Sequence, residues 1–304
     1  MKLGLVSAII PNFSYEEVID LAADLELKYV EMMSWPHGRA LRRYAGVTHI
    51  DADSLTEELA KRYVEYAAER GIRVSALGYY PNPLDKDLEA REKYIEHIYK
   101  LINASRMMDV NCISTFIGRN TNLNPEQNIE EMLSVWKPIV QYAYDQGVKV
   151  LIENCPMYYT HDEWPNGANL ACNPYIWDIM FSEMPQPNFG LNYDPSHMYL
   201  QRADYIRPLI DYKDRIFHIH LKDIKFSEEG LYRYGMFWYP SKFHAPKIPS
   251  LGGIDWRAFI SALYDLRYDI PVCLEIEDKA FEDSLEDILS SIKISVRYIR
   301  NFME

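Results

Sequence analysis

The chain is short of positive charge, of cysteine, of long apolar runs and of glycine-rich turns, and each shortage argues against a class of function. Lys and Arg number 32 against 45 Asp and Glu, which gives a net charge of -13. No basic run supplies the surface that phosphate neutralisation demands, so no nucleic-acid partner is expected. The stretch RADYIRPLIDYKDR is mixed in sign and reads as a solvated helix face. An acidic chain can still hold an anionic small molecule in a local basic pocket. The four cysteines, Cys112, Cys155, Cys172 and Cys273, lack the paired short spacings of a structural zinc site or a disulfide framework. Three of them lie on or beside apolar strands, where a thiol behaves as a small hydrophobe. The apolar part of MKLGLVSAIIP is too short to span a membrane and reads as a first strand. The expected setting is therefore the cytoplasm, without a membrane partner. With 13 glycines and 17 prolines, neither in excess, nothing reads as a linker or as disorder.

What is present is a regular alternation in a chain of 304 residues, 48% of them hydrophobic. Apolar runs of strand length occur at about 2–8, 28–33, 72–78, 112–117, 148–153, 189–194, 216–221 and 271–276. Helical patterns intervene at about 14–25, 54–70, 87–108, 125–146, 174–183, 203–212, 255–266 and 284–302. Ser14 with Glu17 and Ser54 with Glu57 fit capping boxes, and Gly71 and Gly147 fit helix ends. Eight strand-helix units favour a closed sheet, and no glycine-rich phosphate turn follows the first strand, where Ile9, Ile10, Pro11 and Asn12 stand. The expected fold is α/β, a single (β/α)8 TIM barrel domain over residues 1–304. Its helix-to-strand links are tight, while the strand-to-helix links at 34–53, 155–173 and 223–254 are long. Long loops gathered on the carboxyl side of barrel strands mark the end where active sites lie.

Four of the later strands finish on potential metal ligands: Glu153 in LIEN, Asp194 in NYDPSH, His220 in HIHLKD and Glu275 in CLEIED. Side chains alternate along a strand, so His218, His220 and Lys222 share one face, as do Cys273, Glu275 and Glu277. Any one of these carboxylates could be a structural partner of an arginine. Four such residues at equivalent strand ends shift the balance to metal. His218, a layer deeper, reads as a satisfied core histidine, and Glu277 and Asp278 as loop carboxylates. Lys222 either contacts substrate or neutralises the carboxylates. His37, Arg42 and Arg43 in the second loop are as readily solvated as functional. Among the loop aromatics, Trp35 and Trp164 are preferred as sugar-stacking walls. LGGIDW could offer backbone N–H groups to a phosphate, but two glycines before a helix equally describe a turn with Asp255 at the helix start.

The motifs LIENCP, NYDPSHM, HIHLKD, LGGIDW and LEIED, with WPHGRALRRYAGVTHID nearer the N-terminus, occur in order along the chain. In them the chain resembles the sugar phosphate isomerase/epimerase group of the xylose isomerase-like barrels. The resemblance implies that Glu153, Asp194, His220 and Glu275 bind one divalent metal and that His197 contacts substrate near it. It also implies that Glu153 and Glu275 move the proton on opposite faces of the substrate. Endonuclease IV, in the same superfamily, needs three zincs, more histidines and a basic face, none of which suits this chain.

Three oxygens and one nitrogen suit manganese first, with magnesium, cobalt or zinc as alternatives. The expected reaction is isomerisation or epimerisation of a sugar or polyol-derived small molecule. It would proceed by proton abstraction next to a carbonyl through a metal-stabilised enediolate, with Glu153 and Glu275 as acid and base and His197 and Lys222 holding substrate oxygens. A lyase acting on an inosose or 3-keto-glycoside would use the same residues, and a sugar-binding barrel without catalysis is a third reading. Homo-oligomerisation is compatible with the sequence.

Overall fold

The computed structural model describes residues 1–38, 44–158 and 167–303. Eight strands form a closed parallel barrel: β1 (Lys2–Val6), β2 (Tyr29–Met33), β3 (Arg73–Gly78), β4 (Cys112–Thr115), β5 (Lys149–Glu153), β6 (Phe189–Tyr193), β7 (Ile216–Leu221) and β10 (Pro271–Leu274). They pair in chain order, and β1 closes the ring on β10. This is the TIM barrel expected from the alternation. Strands beneath a helical shell are covered on both sides, and all five residues of β6 are buried. The outer strand faces meet apolar helix stripes such as Val18, Ile19 and Ala22 of α1 (Tyr15–Asp24). On α10 (Leu285–Met303) the stripe is Ile292, Val296 and Ile299.

The inner faces are different. Barrel interiors are ordinarily packed with Val, Ile and Leu, but here Glu31, Ser75, Ser114, Asn192, His218 and His220 meet inside. Two register shifts bring this about, one in the β2–β3 pairing at Val30/Glu31 and one in the β6–β7 pairing at Leu191/Asn192. An extra residue in one strand changes which side chains share a level, and such bulges gather beside functional sites.

Local signals are met unevenly. The Ser14–Glu17 capping box forms, and Gly71 and Gly147 take positive φ of 69° and 71° just past their helices. The second box does not form. α2 (Glu57–Glu69) is capped by Thr56, whose Oγ1 accepts from Leu59 N at 3.2 Å, while the Ser54 hydroxyl donates to Asp51 Oδ2 at 2.6 Å. The helix expected at 203–212 is the shorter α7 (Arg207–Asp211), and an unexpected short helix, α6 (Pro195–Leu200), precedes it. Asp194 and Pro195 start α6 directly after β6, and Arg202, at φ 57°, interrupts the chain between them.

The long loop after β7 carries an antiparallel hairpin, β8 (Asp223–Phe226) with β9 (His244–Lys247). Buried Asp223 anchors its base: Oδ1 accepts from the backbone N–H of Ile224, Gly253 and Ile254, and Oδ2 from Trp256 Nε1 at 2.8 Å. The Gly253 N–H of LGGIDW is therefore already engaged, and Asp255 caps α9 (Trp256–Asp265), which supports the turn reading over a phosphate cradle.

Candidate metal centre at the barrel mouth

Each of the four strand-end residues is delivered by local structure. Glu153 is the last residue of β5, and Asp194 follows β6. As the N-cap of α6, Asp194 gives Oδ1 to Ser196 N at 2.7 Å, which leaves Oδ2 turned to the mouth. Asn154 clamps the neighbouring strand end by accepting from Asp194 N (2.8 Å) and donating to Asp194 O (3.0 Å). His220 comes from β7, and Glu275 follows β10.

The structure gathers the three carboxylates around the Lys222 ammonium and sets His220 beside two of them. Lys222 Nζ lies 2.8 Å from Glu275 Oε2, 3.2 Å from Asp194 Oδ2 and 3.8 Å from Glu153 Oε1, with Glu277 Oε2 at 3.7 Å. His220 Nδ1 is 3.3 Å from Glu275 Oε2 and 3.8 Å from Glu153 Oε1. His197 Nε2 lies 3.2 Å from both Glu153 Oε1 and Asp194 Oδ2. Asp194 and His220 are wholly buried, and Asp194 Oδ2 and His220 Nδ1 make no hydrogen bond. Their charged neighbours are near enough for attraction but off hydrogen-bond directions.

Charge governs protonation here. Burial alone would raise the Glu153 pKa, but Lys222, His197 and His220 hold it well below the ordinary carboxylate range. Burial opposes ionisation of Asp194 too, and His197 and Lys222 lower its pKa nonetheless. For Lys222 burial favours the neutral form, yet Glu275, Glu277, Asp194 and Glu153 keep it charged. His197 is raised against its burial by Cys155 and Asp194, and His220 against its burial by Glu31 and Glu275. Glu277 is pushed up to about 7 by burial, with Lys222 opposing and Glu275 and Glu153 adding to it. Glu277 thus belongs to the ionic cluster rather than to a detached loop. Asp278 is a loop anchor, accepting from Lys247 Nζ at 2.7 Å.

The remaining expectations divide. His218 is the satisfied core histidine anticipated: its ring lies 3.0 Å from both Asn192 Oδ1 and Ser75 Oγ, and burial lowers its pKa to about 4. Trp35 packs edge-on against Tyr79 (4.8 Å, 81°) and beside Val6, Met33 and Val47, as a loop core would. Trp164, Arg42 and Arg43 lie outside the described residues. Glu31, with Tyr80, Ser114 and Asn192, was not anticipated. The available signal was a lone carboxylate within the apolar run YVEMM, since burial of an unpartnered charge is costly.

Among the described residues, no helix is long and apolar enough to cross a membrane. One relative, uncharacterized protein YfiH of Bacillus subtilis, is 23% identical over 91% of this chain and 93% of its own length. Among solved structures, the probable 3-DHS dehydratase AsbF of Bacillus anthracis superposes with a TM-score of 0.68 at 21% identity, covering 99% of each chain. D-psicose 3-epimerase of Clostridium cellulolyticum H10, solved with D-tagatose, gives 0.70 at 15% identity, with both chains covered completely. The IolI protein, solved with a zinc atom, gives 0.72 at 17% identity over 99% of each chain. The family model for the xylose isomerase-like TIM barrel matches residues 19–301, and the chain belongs to that family.

Proposed function

We propose that this protein is a divalent-metal-dependent sugar isomerase or epimerase. The observation that carries the reading is that Glu153, Glu275 and the Nδ1 of His220 stand close enough together to share an ion, with Asp194 Oδ2 drawn to the same cluster by Lys222. The donor chemistry fits a metal, because a buried carboxylate oxygen and a buried imidazole nitrogen face that cluster without hydrogen bonds. Three oxygens and one nitrogen suit manganese best, with magnesium, cobalt and zinc as the other candidates. When bound, such an ion supplies Lewis-acid polarisation of a substrate carbonyl.

The rest of the chemistry belongs to side chains. Glu153 and Glu275 are the acid and base pair, one taking a proton from the carbon beside the carbonyl and the other returning one. Lys222 and His197 hold substrate oxygens and face developing negative charge. The substrate is a sugar, keto-sugar or polyol-derived small molecule. Similarity to a dehydratase as well as an epimerase gives a second reading, in which the same proton abstraction is followed by loss of a leaving group.

Incubation of the manganese-loaded protein with ketoses, inososes and keto-glycosides in deuterated water tests both. Label at carbon without a change of product skeleton supports isomerisation, and a product lighter by water from an inosose, or by the aglycone alcohol from a keto-glycoside, supports elimination. No label and no conversion across the panel would remove both and revive a binding barrel. Glu153→Gln is expected to retain metal, measured by elemental analysis, while solvent deuterium no longer enters substrate. Undiminished exchange would take the proton-transfer role from Glu153.

A further inference from the structure

Glu31 lies on β2, wholly buried inside the barrel, and is not one of the carboxylates grouped around Lys222. A charge so placed is costly unless donors surround it, and they do. The Tyr80 hydroxyl donates to Oε1, while Asn192 Nδ2 (3.2 Å) and His220 Nε2 (2.7 Å) lie against Oε2.

These contacts fix proton positions. Asn192 turns its amide oxygen to His218 Nδ1 (3.0 Å) and its nitrogen to Ser114 Oγ (2.8 Å), so Nδ2 is the donor towards Glu31. Asn192 Nδ2 also lies 2.8 Å from His220 Nε2, but an unprotonated Nε2 that accepted from it would still face the Glu31 carboxylate oxygen at 2.7 Å, which is repulsive. Nε2 therefore carries the proton and donates it to Glu31. An ion bound among the carboxylates displaces any proton on Nδ1, and with the Nε2–H held by Glu31 the lone pair it meets is that of Nδ1, the atom that faces Glu153 and Glu275.

We infer that Glu31 is a positioning residue that pins His220 as its Nε2–H tautomer, so that Nδ1 is the nitrogen offered to the metal. The inference rests on the reading of His220 as a metal ligand. It assigns Glu31 a task distinct from those of Glu153, Asp194 and Glu275: it orients a ligand from behind and touches neither ion nor substrate. A carboxylate behind a metal-bound histidine fixes ring orientation and raises ligand basicity. Tyr80 and Asn192 in turn hold Glu31, and the Ser114 hydroxyl contacts both of them.

Glu31, His218 and His220 also stand close enough together to hold an ion themselves. Their atoms are otherwise employed, however. His218 uses both ring nitrogens, towards Asn192 Oδ1 and Ser75 Oγ, and Glu31 Oε2 already faces two donors. The geometry favours a hydrogen-bonded support over a second ion.

Zinc, being diamagnetic, gives a direct test by nitrogen-15 histidine NMR. In the zinc-loaded wild-type protein, with His220 assigned through His220→Asn, Nδ1 is expected to be metal-bound and Nε2 to carry a downfield, slowly exchanging proton. Glu31→Gln is expected to weaken zinc binding about ten- to hundredfold and to move that proton upfield, with the far-UV spectrum unchanged. Zinc bound through Nε2, two zincs per wild-type chain with one lost in Glu31→Gln, or equal zinc affinity in a folded Glu31→Gln would each overturn the inference. If Glu31→Gln does not fold, the wild-type tautomer alone decides. A wild-type protein that takes up no zinc overturns this inference and the proposed function together. Zinc bound as described without turnover of any sugar overturns only the latter.

Discussion

His49 illustrates how burial selects a protonation state. Its Nδ1 lies 2.9 Å from Ser7 Oγ and its Nε2 3.2 Å from Ile10 O, and burial lowers its pKa to about 4, partly offset by the bond to Ile10. Unfolded, the ring titrates near its ordinary value of about 6.5. Between these values the unfolded chain binds the extra proton and the folded protein does not, so stability falls as pH drops from about 6.5 towards 4 and levels off below. Each tenfold difference in proton affinity between folded and unfolded chains is worth about 1.4 kcal/mol. Urea midpoints at pH 7.5 and 5.0 are expected to fall further apart in wild type than in His49→Gln, and equal losses in both would refute this. At the same scale, Glu153, Asp194, His220 and Glu275 were legible because ionisable residues at successive strand ends break an apolar pattern. Glu31 was not, because a single carboxylate within one strand gives no sign of the partner it meets.

Elements show where local rules compete. Ser54 and Glu57 satisfy the spacing of a capping box, but the Asp51 carboxylate takes the Ser54 hydroxyl and Thr56 caps α2 instead. Thr56→Ala should therefore cost about 1 kcal/mol, the ordinary value of an N-cap side chain, while Ser54→Ala should change stability by a few tenths at most. Denaturant unfolding of both variants checks this, and the reverse order would restore Ser54 as the cap. The paired helices α6 and α7 follow from the same competition: Asp194 and Pro195 start a helix within three residues of β6, earlier than the apolar periodicity suggests. The β8–β9 hairpin was read only as a long loop. Its anchor, Asp223, is recognisable once the backbone groups of Gly253 and Ile254 stand beside it.

At the scale of the molecule, the cluster gathers carboxylates from the ends of β5, β6 and β10, so ion binding should stabilise the closed barrel as a whole. An ion that binds only the folded state adds about 2.7 kcal/mol at a hundred times its dissociation constant. Thermal unfolding is expected to move to higher temperature with added manganese, and the effect should vanish in Asp194→Ala. A wild-type transition that manganese leaves in place would contradict the metal centre.

Order and type of the barrel's elements, and the end of the barrel that carries the candidate site, could be read from the chain because they depend on local quantities. Side-chain periodicity, caps and loop lengths are set within a few residues. The pairing of Glu31 with His220, 189 residues apart, depends on barrel closure and on register shifts in two strand pairs. No short-range pattern encodes those, because a displacement of one residue changes which side chains meet across the interior. The tertiary structure alone therefore decided which nitrogen of His220 faces the carboxylates and which is held by Glu31.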